Sequence, residues 1–292
     1  MKIAGFTFIR NALLYDYPVL EAIRSILPVC DYFLVAVGRS DDETLELVRR
    51  IDDPKLHILE TVWDDRLREG GRVLAAETNK AFDAIPPEYD WCFYIQADEC
   101  VHEADWPAIR AGMERWLDDP NTDGLLLQYR HFYGSYDYVA ASRRWYRREV
   151  RIVRNNKQIR SYRDAQGFRF SSGHKLRVRL LDAWVYHYGW VKHPAAQQRK
   201  QQSFNRLWHS DETVQAMVGD KTAYEYDGAE PLQRLSGSHP AVMKPRIDAV
   251  NWHFSSDPAQ ARWSWKDRIS YFFEQSTGWR PGEYRNYILL DD

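Results

Sequence analysis

Residues 91–99 have the sequence WCFYIQADE, in which five apolar residues run without interruption into a largely polar turn. A short run that is apolar at every position is typical of a strand buried on both faces, so 91–95 is predicted to lie centrally in a sheet. Ligands of open parallel sheets bind beyond the carboxyl ends of the strands. Asp98 and Glu99 occupy that position and mark where a functional site is to be sought.

Working outward, the first hundred residues alternate strand-like and helix-like segments. The strands are predicted at 3–9, 32–37, 56–59 and 91–95, and the helices around 18–27, 45–51 and 72–85. Ser40 and Glu43 match a capping box ahead of the second helix. Such a βαβαβαβ series predicts an α/β fold with a mostly parallel central sheet flanked by helices on both faces.

The second half of the chain has a different character. Strand-like runs at 124–129, 149–153 and 176–188 carry more Arg and Tyr, which favours a mixed or antiparallel extension of the sheet, and a helix is predicted at 194–208. Beyond about 210, Gly, Pro, Ser and aromatic residues interrupt the pattern. We therefore divide the chain into an α/β domain at 1–205 and a helical or irregular C-terminal extension at 206–292. The extension is expected to be a lid, an acceptor-binding lobe or a packing arm.

Composition excludes several classes of protein. The 292 residues include 40 Lys and Arg against 42 Asp and Glu, which argues against a protein that binds nucleic acid mainly through its phosphates. The three cysteines form no CxxC pair, so a reducing compartment is expected and a structural zinc site is not. The start of the chain does not resemble a signal peptide, and no apolar run reaches the roughly 20 residues of a membrane span. A cytoplasmic protein is expected, and peripheral association with the inner face of the membrane stays open.

Polar side chains follow several of the predicted strands. Arg10 and Asn11 follow the first strand, 38–44 follows the second, and 96–99 follows the fourth. Carboxylates at such an edge can bind Mg²⁺ or Mn²⁺, which take few ligands from protein and complete their shell with phosphate oxygens and water. A plainer interpretation, in which Asp98 and Glu99 only cap the turn into the next helix, fits the local sequence equally well.

Four segments, in chain order, carry a resemblance to a known family. The first is Arg10 and Asn11 after the first strand, and the second is Ser40-x-Asp42-x-Thr44, which matches the end of a D-D-G-S-x-D-x-T motif. The third is Asn79, in the helix after Gly70 and Gly71. The fourth is Gln96-Ala97-Asp98-Glu99, which stands at the position of a D-x-D motif. Over residues 3 to about 200 the chain thus resembles family 2 glycosyltransferases. The resemblance implies the Rossmann-like GT-A fold. It also implies metal-dependent, inverting transfer of a sugar from a nucleotide-diphosphate donor to an acceptor hydroxyl.

Two departures from the family pattern bear on the donor site. Val37 and Gly38 replace an acidic pair that contacts the nucleotide base, which leaves base recognition to Arg39, Asp41, Asp42 or the backbone. Gln96 replaces the first Asp of the metal motif, and its amide carries no charge. Asp98 is therefore the first candidate for the metal, with Glu99 beside it.

A catalytic base is sought in the second half of the chain. Asp164 lies among polar and aromatic residues in the stretch SYRDAQGF at 161–168. The resemblance implies that an acid in this part of the fold removes the proton of the acceptor hydroxyl. A surface carboxylate paired with Arg163 or Arg169 is an equally good interpretation, and Asp182 is a weaker candidate for the base.

The run WVYHYGW at 184–190 alternates, and His187 and Gly189 share one face of the predicted strand. The resemblance implies that a late histidine completes the metal or diphosphate site, although a lone histidine is more often structural. Lys192 and Lys200 are expected to neutralise the leaving diphosphate, with solvated lysines as the simpler alternative.

One strongly basic segment, RRWYRR at 143–148, also contains aromatic residues. Charge and stacking of this kind suit a nucleic acid, an anionic acceptor, a membrane phosphate or nearby acidic residues. The balanced total charge makes nucleic acid the least favoured of these.

The sequence thus predicts a transferase of glycan or polysaccharide biosynthesis, with a nucleotide-diphospho-sugar donor, a saccharide or lipid-linked glycan acceptor, Mg²⁺ or Mn²⁺, and no nucleic acid. The expected donor-binding residues are Arg10, Asn11, Arg39, Asp42, Asn79, Gln96, Lys192 and Lys200, the metal ligands Asp98, Glu99 and His187, and the catalytic base Asp164. Three alternatives stay open, one of which is an RNA-binding protein that uses the basic segment at 143–148. A nucleotidyltransferase should have a glycine-rich loop after the first strand, and residues 8–11 contain no glycine. A non-catalytic carbohydrate- or nucleotide-binding protein is favoured if Gln96 has removed metal affinity.

Overall fold

The structure is a computed structural model that describes residues 1–67, 69–219, 221–256, 261–263, 265–278, 280 and 282–291. The strands are β1 (Ile3–Ile9), β2 (Tyr32–Gly38), β3 (Leu56–Thr61), β4 (Trp91–Tyr94), β5 (Glu99–Val101), β6 (Gly124–Tyr133), β7 (Tyr138–Ala140), β8 (Arg148–Arg154), β9 (Ile159–Tyr162), β10 (Gly167–Phe170), β11 (Leu176–Trp190), β12 (Leu232–Arg234) and β13 (Tyr287–Leu289). The helices are α1 (Val19–Ile26), α2 (Thr44–Arg49), α3 (Arg72–Ala84), α4 (Trp106–Arg115), α5 (Pro194–Asn205), α6 (Asp211–Val218), α7 (Lys244–Asp248) and α8 (Trp265–Thr277).

Eleven of the strands form one sheet, in which β12, β7, β6, β8, β4, β1, β2 and β3 follow one another. Strands β1 to β4 run parallel, β8 lies antiparallel between β4 and β6, and the long β11 runs parallel to β6. The α/β fold with a mostly parallel centre and a mixed extension is therefore confirmed.

Strand β4 is apolar at every position because both of its faces are covered. Trp91 and Phe93 pack into a core that includes the apolar faces of α1, α2 and α4. Cys92 and Tyr94 point into a second core, which contains residues of α3, β9 and β10. Burial on both faces fixes β4 rigidly, and the polar turn after it is held at the edge of the sheet.

The predicted capping box does not form, because Ser40 is engaged elsewhere. Its hydroxyl donates to the Gly38 carbonyl at 2.8 Å and accepts the Asn11 N–H at 3.0 Å. Asp42 stabilises this turn instead, since its carboxylate accepts the N–H of Thr44 at 3.0 Å and of Leu14 at 2.7 Å. The loops that follow β1 and β2 are therefore tied together.

The C-terminal extension contributes strands to the main sheet. Strand β12 pairs with β7, and β13 pairs in parallel with the start of β11. Helix α5 ends at Asn205, three residues earlier than predicted. The division at 205 stays a prediction.

Candidate active site

A cleft with a volume of about 750 Å³ lies at the carboxyl ends of β1, β2 and β4. The residues predicted for function that line it are Arg10, Asn11, Gln96, Asp98, Asp164, His187 and Lys200. They come from five separate parts of the chain, which the parallel strands and β11 bring to one edge of the sheet. The cleft is therefore the candidate active site.

Asp98 is buried in the wall of the cleft beside two basic groups. Lys200 Nζ donates to its Oδ2 at 3.1 Å and to the Gly189 carbonyl at 2.9 Å, and His187 Nε2 lies 3.8 Å from its Oδ1. Burial alone would raise the pKa of Asp98, but the charge of Lys200, with smaller contributions from the neighbouring His187 and Lys192, outweighs burial and holds that pKa below its usual range. Asp98 therefore carries a stable negative charge inside the cleft.

The register of three strands places His187 beside Asp98. On β11, His187 pairs with Glu99 of β5 on one side and with His131 of β6 on the other. The Tyr188 N–H donates to the Asp98 carbonyl at 2.7 Å, which ties the turn after β4 to β11. The histidine that the sequence singled out is thus held against the acidic turn by main-chain pairing.

Hydrogen bonds of His131 determine which nitrogen of His187 carries a proton. His131 Nε2 lies 2.7 Å from the Tyr146 carbonyl, which only accepts, so Nε2 of His131 is the protonated nitrogen. Burial lowers the pKa of His131 well below its usual value, so the ring is neutral and its Nδ1 accepts from His187 Nδ1 at 3.0 Å. Burial lowers the pKa of His187 as well, and its neutral ring, protonated on Nδ1, leaves the lone pair on Nε2 facing Asp98.

Gly189 leaves space between these two groups. A Cβ atom at this position would lie 2.6 Å from His187 Nε2 and 2.8 Å from Asp98 Oδ2. A lone pair and a carboxylate that face each other across such a space form a donor set suited to a divalent cation. In the part of the chain that the structure describes, no cluster of three or more His, Cys, Asp or Glu side chains is arranged to hold a metal. A cation between His187 Nε2 and the Asp98 carboxylate would take these two protein ligands and complete its shell with phosphate and water.

The expectation that Glu99 binds a metal needs correction, because its carboxylate is fully buried and fully used. Arg151 donates to both of its oxygens, at 2.9 and 2.8 Å. The Tyr129 hydroxyl and the Gln96 N–H add bonds of 2.8 and 3.0 Å. Glu99 is thus a structural partner of Arg151, and only Asp98 of the acidic pair faces the cleft.

The turn that carries Asp164 is held from two sides. Gln96 Nε2 donates to the Ala165 carbonyl at 3.1 Å, and Arg151 Nη1 donates to the Gln166 carbonyl at 2.7 Å. Arg163 and Ala165 both adopt positive φ, 55° and 64°, an uncommon conformation for these residues that occurs preferentially at functional sites. Burial raises the pKa of Asp164, which makes its carboxylate a better base than an exposed one.

Two groups line the part of the cleft next to β1. The Arg10 guanidinium lies 5.5 Å from the centre of the Trp63 ring, and Asn11 exchanges two hydrogen bonds with Asp41, of 3.1 and 2.7 Å. An aromatic ring stacked with a guanidinium offers a surface on which a nucleotide base can stack.

Four residues that the sequence assigned to the donor do not line the cleft. Arg39 is exposed, and Asp42 is bound to the backbone of its own turn and of Leu14. Asn79 accepts the N–H of Ser161 at 2.8 Å and so positions β9. Lys192 is fully buried and donates to the Asp16 carbonyl, and burial together with the charge of Lys200 lowers its pKa to about 7. Asp42, Asn79 and Lys192 are thus engaged with the backbone in this structure, and Lys192 also contributes its charge to the surroundings of Asp98.

Sequence reasoning missed Trp63 and His131. Trp63 follows β3 by two residues, so the rule applied to the first, second and fourth strands would have found it at the third. For His131 the sequence offers no such signal, because it lies inside β6 and meets His187 only through the pairing of β6 with β11. Asp182, the weaker candidate for the base, is exposed and does not line the cleft.

Comparisons with known proteins give a likeness of fold only. No protein-family model matches the chain, and neither does any curated protein. Among solved structures, S. aureus TarS is similar with a TM-score of 0.40 and 13% identity over 73% of this chain, which spans 41% of the length of that protein. A shorter form of TarS, in complex with UDP, is similar with a TM-score of 0.40 and 12% identity. The match covers 76% of this chain and 70% of that one. A third similar structure is glucosyl-3-phosphoglycerate synthase from Mycobacterium tuberculosis, in complex with Mn²⁺, UDP and phosphoglyceric acid. Its TM-score is 0.29 and its identity 16%, and the match covers 45% of this chain and 43% of that one.

No helix in the described part of the chain is both long enough and apolar enough to cross a membrane.

Proposed function

We propose that this protein is a glycosyltransferase that moves a sugar from a nucleotide-diphosphate donor to an acceptor hydroxyl, in glycan or polysaccharide biosynthesis. The observation that carries the proposal is the meeting of Asp98, His187 and Lys200 with Asp164 in one cleft. The first three form a site for a diphosphate, and Asp164 is a half-buried carboxylate suited to proton removal. A cytoplasmic location, and a saccharide or lipid-linked glycan as acceptor, stay predictions.

At the diphosphate end, His187 Nε2 and Asp98 Oδ1 would hold Mg²⁺ or Mn²⁺ in the space that Gly189 leaves. An ion bound there supplies a Lewis acid that stabilises the charge developing on the leaving nucleotide. Lys200 lies next to the same carboxylate and contributes a positive charge to the diphosphate. Arg10 and Trp63 offer a stacking surface to the nucleoside.

At the acceptor end, Asp164 would remove the proton of the attacking hydroxyl as the new glycosidic bond forms. Attack from the face opposite the diphosphate inverts the anomeric carbon. Aromatic residues of the cleft, including Tyr146 and Trp190, limit the access of water that would otherwise hydrolyse the donor.

Donor binding and donor consumption test the proposal separately. Thermal melting with a panel of nucleotide sugars, with and without Mn²⁺, should reveal a stabilising donor, since a ligand at 100 times its dissociation constant adds about 2.7 kcal/mol. Consumption of that donor with release of the nucleotide supports the enzyme. Binding without consumption in the presence of candidate acceptors would favour the non-catalytic alternative.

Asp164→Asn is expected to lower transfer by about 10²–10⁴-fold while donor binding is unchanged, because the amide keeps the shape of the side chain and cannot accept the proton. In the parent protein, transfer requires the deprotonated carboxylate. Burial raises the pKa of Asp164, so this carboxylate becomes protonated at a higher pH than an exposed aspartate does. As the solution is acidified, activity should therefore begin to fall at a correspondingly higher pH. Product formation against pH measures both effects. Asp182→Asn, at an exposed site, is the matched control, and normal turnover in Asp164→Asn would refute the assignment.

Gly189→Ala is expected to abolish metal-dependent donor binding, because its Cβ would occupy the space between His187 and Asp98. We expect Mn²⁺ affinity to fall by at least about tenfold. Calorimetric titration with Mn²⁺ measures the change directly. Gly228→Ala is the control, since the nearest atom to its Cβ would be 3.8 Å away. Equal Mn²⁺ affinity in the two variants would exclude a metal at this place.

A further inference from the structure

A second cavity, with a volume of about 340 Å³, adjoins the cleft. Tyr146, Asp164 and Gln166 line both spaces, so the proposed base lies in the wall between them. Six arginines line the second cavity: Arg143, Arg144, Arg147, Arg148, Arg163 and Arg280. We call it the arginine cavity. It contains most of the basic segment that the sequence singled out and that the proposed reaction does not use.

Several of these arginines are neutralised by nearby acids. Arg147 pairs with Glu283 at 2.7 Å and with Glu274 at 3.2 Å, and Arg280 pairs with Glu274 at 2.7 Å. Arg144 pairs with Glu230 at 3.1 Å. Of the alternatives for this segment, contact with nearby acids therefore holds for Arg144 and Arg147, which with Arg280 form the frame of the cavity.

Arg148 is different. Its side chain is partly buried in the cavity wall, and no described residue forms a hydrogen bond or ion pair with its guanidinium. Burial and the charge of Arg147 lower the pKa of Arg148, yet a guanidinium stays charged at any ordinary pH. A partly buried cation without a partner is unfavourable unless an anion binds to it. Glu283 acts on Arg148 only from a distance, so among the described residues this guanidinium has no direct ion-pair partner.

Among the described residues, the neighbouring acid Glu149 forms no ion pair with Arg148. Glu149 is buried in the same wall, and burial raises its pKa to about 7, so its carboxyl ionises less readily than an exposed one. One of its oxygens accepts the Val150 N–H at 2.9 Å. Arg163, on the turn that carries Asp164, adds a second, exposed guanidinium at the rim.

We propose that the arginine cavity binds a phosphate group carried by the acceptor, and that this contact places the acceptor hydroxyl at Asp164. The inference rests on the proposed transferase function. The planar guanidinium of Arg148 matches two phosphate oxygens at once, and the volume is that of a small-molecule site. Because the cavity and the cleft share Asp164, a molecule anchored by its phosphate at Arg148 extends toward the base without entering the donor cleft.

Titration calorimetry of the full chain with glycerol 3-phosphate tests the site in the absence of donor and metal. Arg148→Gln should weaken binding by about tenfold or more, whereas Arg115→Gln, at an exposed site on α4, should not change it. Arg163→Gln should give a smaller loss, which provides a second reading if Arg148→Gln melts early. Phosphate binding that Lys200→Gln weakens and Arg148→Gln does not would place the phosphate in the donor cleft and overturn the proposal.

A second arm identifies the source of the phosphate. Sedimentation with vesicles that contain phosphatidylglycerol is compared between the parent protein and Arg148→Gln. Vesicle binding that Arg148→Gln abolishes assigns the cavity to a lipid-linked acceptor, and binding of glycerol 3-phosphate without vesicle binding assigns it to a soluble one. Binding of single-stranded RNA that glycerol 3-phosphate does not displace would show a nucleic-acid surface instead and would overturn the proposal.

The two proposals fail in different ways. Loss of phosphate binding in Arg148→Gln with no donor consumed under any condition would leave a phosphate site and remove the transferase. In the opposite case the donor is consumed, and Arg148→Gln changes neither the affinity for phosphate nor the rate of transfer. That result would support the transferase and refute this acceptor site.

Discussion

Asp98→Asn should abolish metal-dependent binding of the donor and lower transfer by about 100-fold or more. The amide keeps the shape of the side chain but loses the charge that, with His187 Nε2, would hold a cation. It also removes the negative charge that Lys200 and the fully buried Lys192 share. Metal-dependent thermal stabilisation by the donor and the initial rate of transfer measure the two effects.

Destabilisation is the main confounding effect, because Lys200 is buried and loses its partner. The double variant Asp98→Asn/Lys200→Met removes both members of the pair, so part of the lost stability should return. Metal-dependent binding should not return. Recovery of donor binding together with stability would show that Asp98 acts only as a partner of Lys200, and our metal assignment would then be wrong.

Glu99→Ala should have the largest effect on stability, a loss of about 3–5 kcal/mol in the free energy of unfolding. The side chains of Arg151 and Glu99 are both fully buried. Removal of the carboxylate therefore leaves a buried guanidinium without its counter-charge. Urea unfolding followed by fluorescence measures the change.

The double variant Glu99→Leu/Arg151→Met provides the matched test. A buried ion pair replaced by apolar side chains of similar volume is often neutral in stability, so most of the loss should be recovered. Arg151 also donates to the Gln166 carbonyl, so transfer should stay low even when stability returns. A double variant as unstable as Glu99→Ala would mean that packing around Glu99, not charge, sets its contribution.

Local pattern predicted the sheet well because each element carries its own signal. The apolar run of β4 and the amphipathic faces of α1 and α3 depend on burial that is regular along the sequence. The position of the cleft followed from the same pattern, since the ends of parallel strands meet. The sequence pattern alone thus predicted that Arg10 and Asp98 lie at the same edge of the sheet, and both line the cleft.

The role of each polar residue was harder to predict, because its partner lies far along the chain. Asp98 and Glu99 are adjacent and chemically similar, yet Glu99 begins β5 and turns inward to Arg151, 52 residues away. Asn79 matched a family position but binds the backbone of Ser161, 82 residues away. Nothing within a short window of sequence shows which carboxylate or amide already has a partner.

The pairing of β13 with β11 affects how the protein can be divided. Tyr287–Leu289 covers the edge of β11 at Leu176, Arg177 and Val178, in the same strand that later carries His187. A fragment that stops at residue 205 would leave those backbone groups open to pairing with another molecule, and exposed edges of this kind promote aggregation. Expression trials should therefore keep the last residues of the chain, even where only residues 1–205 are wanted.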